Sequence, residues 1–152
     1  MNTEQVIRDY LPDILHMSLA TTVNNKPWVC ELHFAYDDDL NLYFRSLASR
    51  RHSQDIAINP YVAGNIVTQH GITDKPRGVY FEGTAKKIES DSERAAVIKY
   101  FKRIGADEAA VEEAKNPDGH QFYKITVLDY YVFDARESSP SQKYHLTWSK
   151  LA

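Results

Sequence analysis

Apolar residues recur along this chain first with the spacing of a helix and then with the spacing of strands. Val6, Ile7, Tyr10 and Leu11 fall on one face of a helix over residues 2–11, which Pro12 is expected to end. From residue 16 onward, β-branched and aromatic residues concentrate in stretches bounded by Asn, Asp, Gly and Pro. Six such stretches predict strands, over residues 16–23, 28–36, 40–44, 61–68, 79–88 and 122–133.

Short helices are predicted between the later strands, over residues 50–59, 91–104 and 107–115. The first three strands follow one another without a helix, which disfavours a parallel βαβ arrangement. The pattern therefore predicts a mainly β fold, a six-stranded antiparallel barrel with short helices at its ends. Gly83 inside the fifth strand indicates a bulge or a close backbone approach, and the tail from residue 134 is expected to be irregular.

Composition narrows the class of protein. The 152 residues are 43% apolar, which suits one domain spanning residues 1–152. The 18 basic and 21 acidic side chains give a net charge of −3, which argues against a surface that attracts nucleic acid as a whole. The single cysteine, Cys30, excludes an internal disulfide. Because neither a signal peptide nor a membrane-spanning apolar stretch is visible, we expect a cytoplasmic protein.

The segment most informative about chemistry is the junction between the third strand and the next helix. Arg50 and Arg51 fall in the first helical turn, with His52 beside them and Ser46 just before. Cations are disfavoured at a helix start by roughly 0.3–1 kcal/mol each, because the free N–H groups there carry partial positive charge. The cluster is therefore typical of an anion site, in which a phosphate accepts hydrogen bonds. The alternative is a solvated surface on which the arginines pair with Asp55 or other acids.

Other familiar catalytic patterns are absent from the sequence. No nucleophile elbow, Walker loop or dinucleotide-binding glycine motif occurs. No two of the six histidines have the spacing that places metal ligands on one face, so no metal site is predicted. Cys30 suits a small, buried apolar position.

Three segments resemble the FMN-binding split-barrel family that includes the pyridoxamine 5'-phosphate oxidases. The first is the opening meander, with Asn25-Lys26-Pro27 where the family often has Gly-x-Pro. The second is residues 46–52 (SLASRRH) followed by Asn-Pro at 59–60, which is similar to the family's Thr-x-x-x-Ser-Arg-Lys and Asn-Pro. The third is residues 77–83 (RGVYFEG), also found in small bacterial members, similar to a strand that reaches the partner's flavin. The resemblance covers about residues 14–90 well and the final strand loosely.

The resemblance implies bound FMN, a homodimer with cofactor sites at the subunit interface, and flavin-dependent oxidoreduction of a small molecule. It implies that Ser46 and Arg51 hold the FMN phosphate, with His52 in the place of the family's Lys. Arg50 replaces the family's Ser and is expected to be a second phosphate donor.

The remaining roles implied by the resemblance concern the flavin ring. Residues 30–33 would run beside the ribityl chain and the isoalloxazine, and Arg77 or Gly78 would approach from the second subunit. The expected cofactor-site residues are Cys30, Glu31, Leu32, His33, Arg45, Ser46, Arg50, Arg51, His52, Arg77 and Gly78.

Two departures from the family pattern qualify these expectations. His52 in place of Lys makes one phosphate contact titratable, so FMN affinity is expected to fall as the pH rises. The Arg-x-His-x-Arg that grips pyridoxal phosphate in the oxidases is absent from residues 141–152. The substrate is therefore left open, and Trp148 is expected either to cover the flavin or to pack.

Two other functions are compatible with the sequence. The first is a non-enzymatic binder of flavin or haem, with His33, His70 or His145 as an axial ligand. The second is a nucleic-acid binder that uses Arg45, Arg50 and Arg51, which the acidic net charge disfavours. We expect neither a nucleic-acid nor a membrane partner.

Overall fold

A computed structural model describes residues 2–136 and 142–148 of the chain. The described residues form four α-helices: α1 (Thr3–Tyr10), α2 (Arg51–Ile58), α3 (Asp91–Phe101) and α4 (Glu108–Ala114). The strands are β1 (His16–Val23), β2 (Lys26–His33), β3 (Ala35–Tyr36), β4 (Leu42–Leu47), β5 (Tyr61–Val67), β6 (Arg77–Lys87), β7 (His120–Asp134) and β8 (Lys143–Thr147). Short 3₁₀ turns follow α1 and α3, at Leu11–Asp13 and Lys102–Ile104.

Local sequence signals account for where most elements begin and end. The side chain of Asn2 caps α1 by accepting from the N–H of Gln5, and Ser90 caps α3 in the same way. Asn24 and Asn25 have φ values of 53° and 61°, which gives the β1–β2 hairpin the positive-φ turn that matches the strand twist. At Gly105, φ is 82°, and the chain leaves the 3₁₀ turn after α3 there.

All strand pairs are antiparallel, and the order of the sheet is β2-β1-β5-β6-β7-β4-β3, with β8 added beside β7. The two ends of this order, β2 and β3, are consecutive in the chain and separated only by Phe34. The chain itself therefore bridges the ends of the sheet, and the N–H of Phe34 donates to the carbonyl of Leu15 at the crossing. This closure, with the sheet left open between β2 and β4, confirms the expected split barrel.

The core has two parts. Inside the barrel, Phe44 and Tyr123 stack with ring centroids 4.8 Å apart, together with Phe81 and Tyr130. On the outer side of β4 and β7, α3 and α4 cover a second cluster around Phe101 and Phe122. The helices therefore shield one part of the outer sheet surface, next to the opening between β2 and β4.

The structure differs from the predicted pattern in two elements. The predicted strand over residues 28–36 is broken at Phe34 into β2 and β3, because it turns from one end of the sheet to the other. The tail is not wholly irregular, since β8 pairs with the second half of β7, and residues 137–141 and 149–152 lie outside the described part. The expected bulge is confirmed, because the β6–β7 register shifts between Glu82 and Gly83.

Trp148 packs against the barrel. It is buried, its Nε1 donates to the carbonyl of Asp39, and its ring lies edge-on to Tyr130. These contacts place its indole in the core, which favours the packing alternative over a flavin cover.

Candidate functional site

A cleft of about 310 Å³ lies at the opening between β2 and β4, beneath the Gly105 turn. Four of the predicted site residues line it: Glu31, Leu32, His33 and Arg45. The other lining residues are Ile104, Gly105, Ala106 and His120. The topology explains the convergence, because β2 and β4 are far apart in the sheet order, but Phe34 connects β2 to β3, which pairs with β4.

The β2 wall of the cleft is an edge strand, which among the described strands pairs with β1 alone. Its Glu31 carboxylate accepts a hydrogen bond of 2.7 Å from the hydroxyl of Ser18. Its His33 ring lies 4.2 Å from the ring of His16, directly across the strand pair. The side chains of Glu31 and His33 are therefore both contacted by residues of β1.

On the opposite wall, His120 lines the cleft and contacts Glu113, and the sequence did not indicate either residue. Oε2 of Glu113 accepts from Nη2 of Arg45 (2.9 Å), from the main-chain N–H of His120 (2.8 Å) and from Nδ1 of His120 (3.1 Å). Glu113 reaches Arg45 across a separation of 68 residues, so no local pattern could have revealed the contact.

Arg51 is the first residue of α2, as the sequence predicts, whereas Arg50 is the N-cap residue just before it; both are exposed. The Arg51 guanidinium lies 4.4 Å from the centre of the Trp28 ring on β2. Neither arginine forms an ion pair with another described residue, and Asp55 instead accepts from the hydroxyl of Thr21. Asp55 therefore does not pair with these arginines, contrary to the alternative interpretation of the sequence.

Ser46 and His52 are buried on the inner side of the same junction. Nε2 of His52 and Oγ of Ser46 are hydrogen-bonded at 2.7 Å. Burial, and then the charge of Arg50, lower the pKa of His52 below its ordinary value of 6.5. The imidazole is thus neutral around pH 7. The expected fall in FMN affinity above neutral pH therefore loses its basis, because His52 changes its charge at a more acidic pH.

Cys30 is half-buried on β2 and packs against the barrel core. Burial, and next the nearby charge of Glu31, raise the pKa of the Cys30 thiol to about 11. The thiol therefore stays protonated at neutral pH, which suits packing rather than nucleophilic chemistry.

Arg77 and Gly78 do not join the cleft of their own chain. They begin β6, where Gly78 lies opposite Phe133 and the Arg77 guanidinium lies 4.9 Å from the centre of the Tyr10 ring. Within one subunit the predicted site residues therefore divide into the cleft, the α2 start and this separate position.

Comparison with known proteins identifies the family. The model of the pyridoxamine 5'-phosphate oxidase family matches residues 3–134. The chain belongs to this family. Among relatives, a UPF0306 protein of Photorhabdus laumondii is 25% identical over 101 residues, which cover 66% of this chain and 71% of that protein.

Solved structures of similar proteins show the same fold. A heme binding protein of Mycobacterium smegmatis has a TM-score of 0.72 and 18% identity, covering 93% of this chain and 56% of that one. A Listeria innocua protein proposed to be a pyridoxamine 5'-phosphate oxidase has a TM-score of 0.65 and 18% identity, covering 86% and 98%. At this identity, the likeness extends to the fold alone.

Within this pyridoxamine 5'-phosphate oxidase-like fold, the three candidate haem ligands differ in their surroundings. Nε2 of His70 lies 3.0 Å from the carbonyl oxygen of Arg77, and Nε2 of His145 lies 2.7 Å from a carboxylate oxygen of Asp129. His33 lines the cleft and has no hydrogen bond to another described residue. In residues 2–136 and 142–148, no three His, Cys, Asp or Glu side chains are grouped to hold a metal ion. No helix in these ranges has the length and apolar character of a membrane span.

Proposed function

We propose that this protein binds FMN and is a flavin-dependent oxidoreductase, acting on a small molecule as a cytoplasmic homodimer. The observation that carries the proposal is the pair of exposed arginines at the start of α2, which have no acidic partner among the described residues; α2 follows β4, one wall of the cleft. Family membership agrees with this cofactor. Bound FMN supplies hydride transfer, and the protein orients it and tunes its surroundings.

The α2 start fits the phosphate of FMN. Arg50 and Arg51 are exposed and free of acidic partners among the described residues, and the first-turn N–H groups add donors. A dianionic phosphate would relieve the repulsion between two cations at a helix start. Ser46 and His52 support this turn from the inner side through their mutual hydrogen bond.

The cleft fits part of a flavin site. Its volume of about 310 Å³ lies at the lower end of the 300–1,000 Å³ that is typical of small-molecule pockets. The walls supply Glu31, Leu32, His33 and Arg45, with Cys30 adjacent on β2. A second subunit would complete the site, and Arg77 and Gly78, which stand apart from their own cleft, would be its contribution.

The phosphate assignment is tested by replacing Arg51 with Ala and measuring FMN affinity by quenching of flavin fluorescence. Loss of one charged phosphate contact should weaken binding by about 1.5–3 kcal/mol, that is, by about ten- to a hundredfold. Lys99→Ala removes an exposed cation on α3 and is the matched control, expected to bind like the wild type. Equal affinity in Arg51→Ala and the control would remove the phosphate site from α2.

A second candidate, haem binding, is favoured by His33, whose ring is available in the cleft. The Mycobacterium smegmatis protein with the same fold is a heme binding protein. Haem bound through His33 would give a Soret band that is lost in His33→Ala. A flavin absorption spectrum that His33→Ala retains would favour FMN instead.

A further inference from the structure

The wall of the cleft formed by β4, β7 and α4 holds a polar network that phosphate binding at α2 does not use. Oε2 of Glu113 accepts from both Arg45 and His120, and it is fixed by the main-chain N–H of His120. Arg45 and His120 both line the cavity. One carboxylate therefore sets the position of a guanidinium and an imidazole in the same cleft.

The hydrogen bond to Glu113 determines which ring nitrogen of a neutral His120 carries the proton. A carboxylate oxygen can only accept, so a neutral His120 carries its proton on Nδ1. Nε2 is then an acceptor, and it has no hydrogen-bond partner among the described residues. With the ring about half exposed, the cleft contains an oriented base.

The charges of the network define the ligand that would complete it. When His120 is neutral, the single charge of Glu113 is shared between Arg45 and the Nδ1–H of His120. When a weak acid binds, its O–H or N–H bond breaks and an Nε2–H bond forms on His120. The imidazolium then pairs with Glu113, and Arg45 is left to pair with the ligand anion, so two ion pairs replace one.

Apolar residues also line the cleft. Leu32, Ile104 and Ala106 add apolar surface. On the facing wall, Glu31 accepts from the hydroxyl of Ser18, and the His33 ring lies 4.2 Å from the tilted ring of His16. Of the two histidines in the cleft, His120 is the one whose ring is oriented by a carboxylate, so its Nε2 is the acceptor that an acidic group on the ligand would meet.

We propose that this wall is the substrate subsite for a small aromatic or heteroaromatic weak acid, such as a phenol or a cyclic imide. His120 accepts its proton, Arg45 holds its anion, and Glu113 is the positioning residue. The proposal rests on the proposed function in placing the ligand beside bound FMN, and it names the substrate class. Its residues are separate from Arg50 and Arg51, which are assigned to the phosphate, whereas Arg45 also belongs to the cleft wall assigned to the flavin.

The probe is 4-nitrophenol at a pH low enough that the free probe is mostly the phenol. Because the phenolate absorbs at longer wavelength, a rise in phenolate absorbance on binding then reports proton transfer. We expect saturable binding with a phenolate-type spectrum in the wild type. His120→Gln should abolish the spectral change, and Arg45→Gln and Glu113→Gln should each weaken binding by about tenfold or more. His145→Gln is the control, since His145 is another half-exposed histidine on a carboxylate, outside the cleft, and it should behave as the wild type.

Absence of 4-nitrophenol binding to the wild type, or equal binding by all variants, overturns the proposal. FMN affinity is measured on the same samples. If the protein binds 4-nitrophenol but not FMN, the proposed cofactor is overturned and the subsite is not. If it binds FMN but not 4-nitrophenol, the subsite is overturned and the cofactor is not. If the variants fail to fold, the tautomer of His120 is measured in the wild type from the ¹⁵N NMR shifts of its ring nitrogens. The Nδ1–H tautomer of His120 is expected, and the Nε2–H tautomer contradicts the geometry.

Discussion

His52 shows how burial changes the role that a residue's position in sequence suggests. Its place after two arginines predicts a titratable phosphate contact, but the structure buries it against Ser46. A buried imidazole resists protonation, and the charge of Arg50 adds to this resistance. Burial of one side chain depends on how α2 packs on the barrel, which a local motif does not report.

The lowered pKa of His52 predicts acid sensitivity of the fold. Below the ordinary pKa of 6.5, the unfolded chain binds a proton that the folded chain resists, so stability is full above that pH and falls as the pH drops below it. His52→Gln should reduce this fall, as measured by the free energy of unfolding in urea across the acidic range. The exposed His16→Gln is the control, and an unchanged slope in His52→Gln would contradict the burial argument.

At the scale of elements, one side chain ties the end of α3 to two other parts of the barrel. The Arg103 guanidinium donates to the carbonyls of Leu11, Ile14 and Phe34, at 3.0, 2.7 and 2.6 Å. It also lies 4.8 Å from the centre of the Phe34 ring. Arg103 therefore links the turn after α1 to the point where the chain crosses between the ends of the sheet.

Arg103→Ala should destabilise the fold by about 2–3 kcal/mol, because three carbonyls lose a charged donor. Thermal and urea unfolding measure the loss. Lys102→Ala is the matched control, since Lys102 is exposed and its ion pair with Glu108, at 3.8 Å, is worth little. Equal stability of the two variants would show that Arg103 does not connect these elements.

The sequence predicts those elements whose boundaries depend on the residues located there. The Asn24-Asn25 turn, the end of α1 at Pro12 and the bulge at Gly83 each follow from residues that restrict the backbone nearby. The break at Phe34 and the pairing of β8 depend instead on closure of the sheet. That closure is a long-range event without a local signature.

At the scale of the whole molecule, the same distinction separates the two halves of the candidate site. The α2 start can be recognised from adjacent cations at a helix boundary. The Glu113 network cannot, because it joins α4, β4 and β7 only after the barrel and the helices have packed. The Glu113 network is therefore less visible in the sequence than the arginine pair at the start of α2.

The outer sheet face, defined by Ala20, Val29, Tyr61 and Ala63, is the surface we assign to the proposed homodimer. Strand register places these residues on one side, and Val29 and Tyr61 are 61% and 65% exposed. Exposed apolar residues grouped in this way mark interfaces. Light scattering after gel filtration should give a dimer for the wild type and a monomer for Val29→Glu, with Ile72→Glu, in an exposed loop, remaining dimeric. A wild-type monomer would contradict the assignment.

The most direct test of the account is titration of the ligand-free wild-type protein with FMN, followed by flavin fluorescence and absorbance. The free arginines at α2 and the cleft between β2 and β4 predict saturable binding with one FMN for each chain, two for each dimer. A folded protein that shows no saturable FMN binding would contradict the central claim, and a Soret band on adding haem would then support the haem alternative.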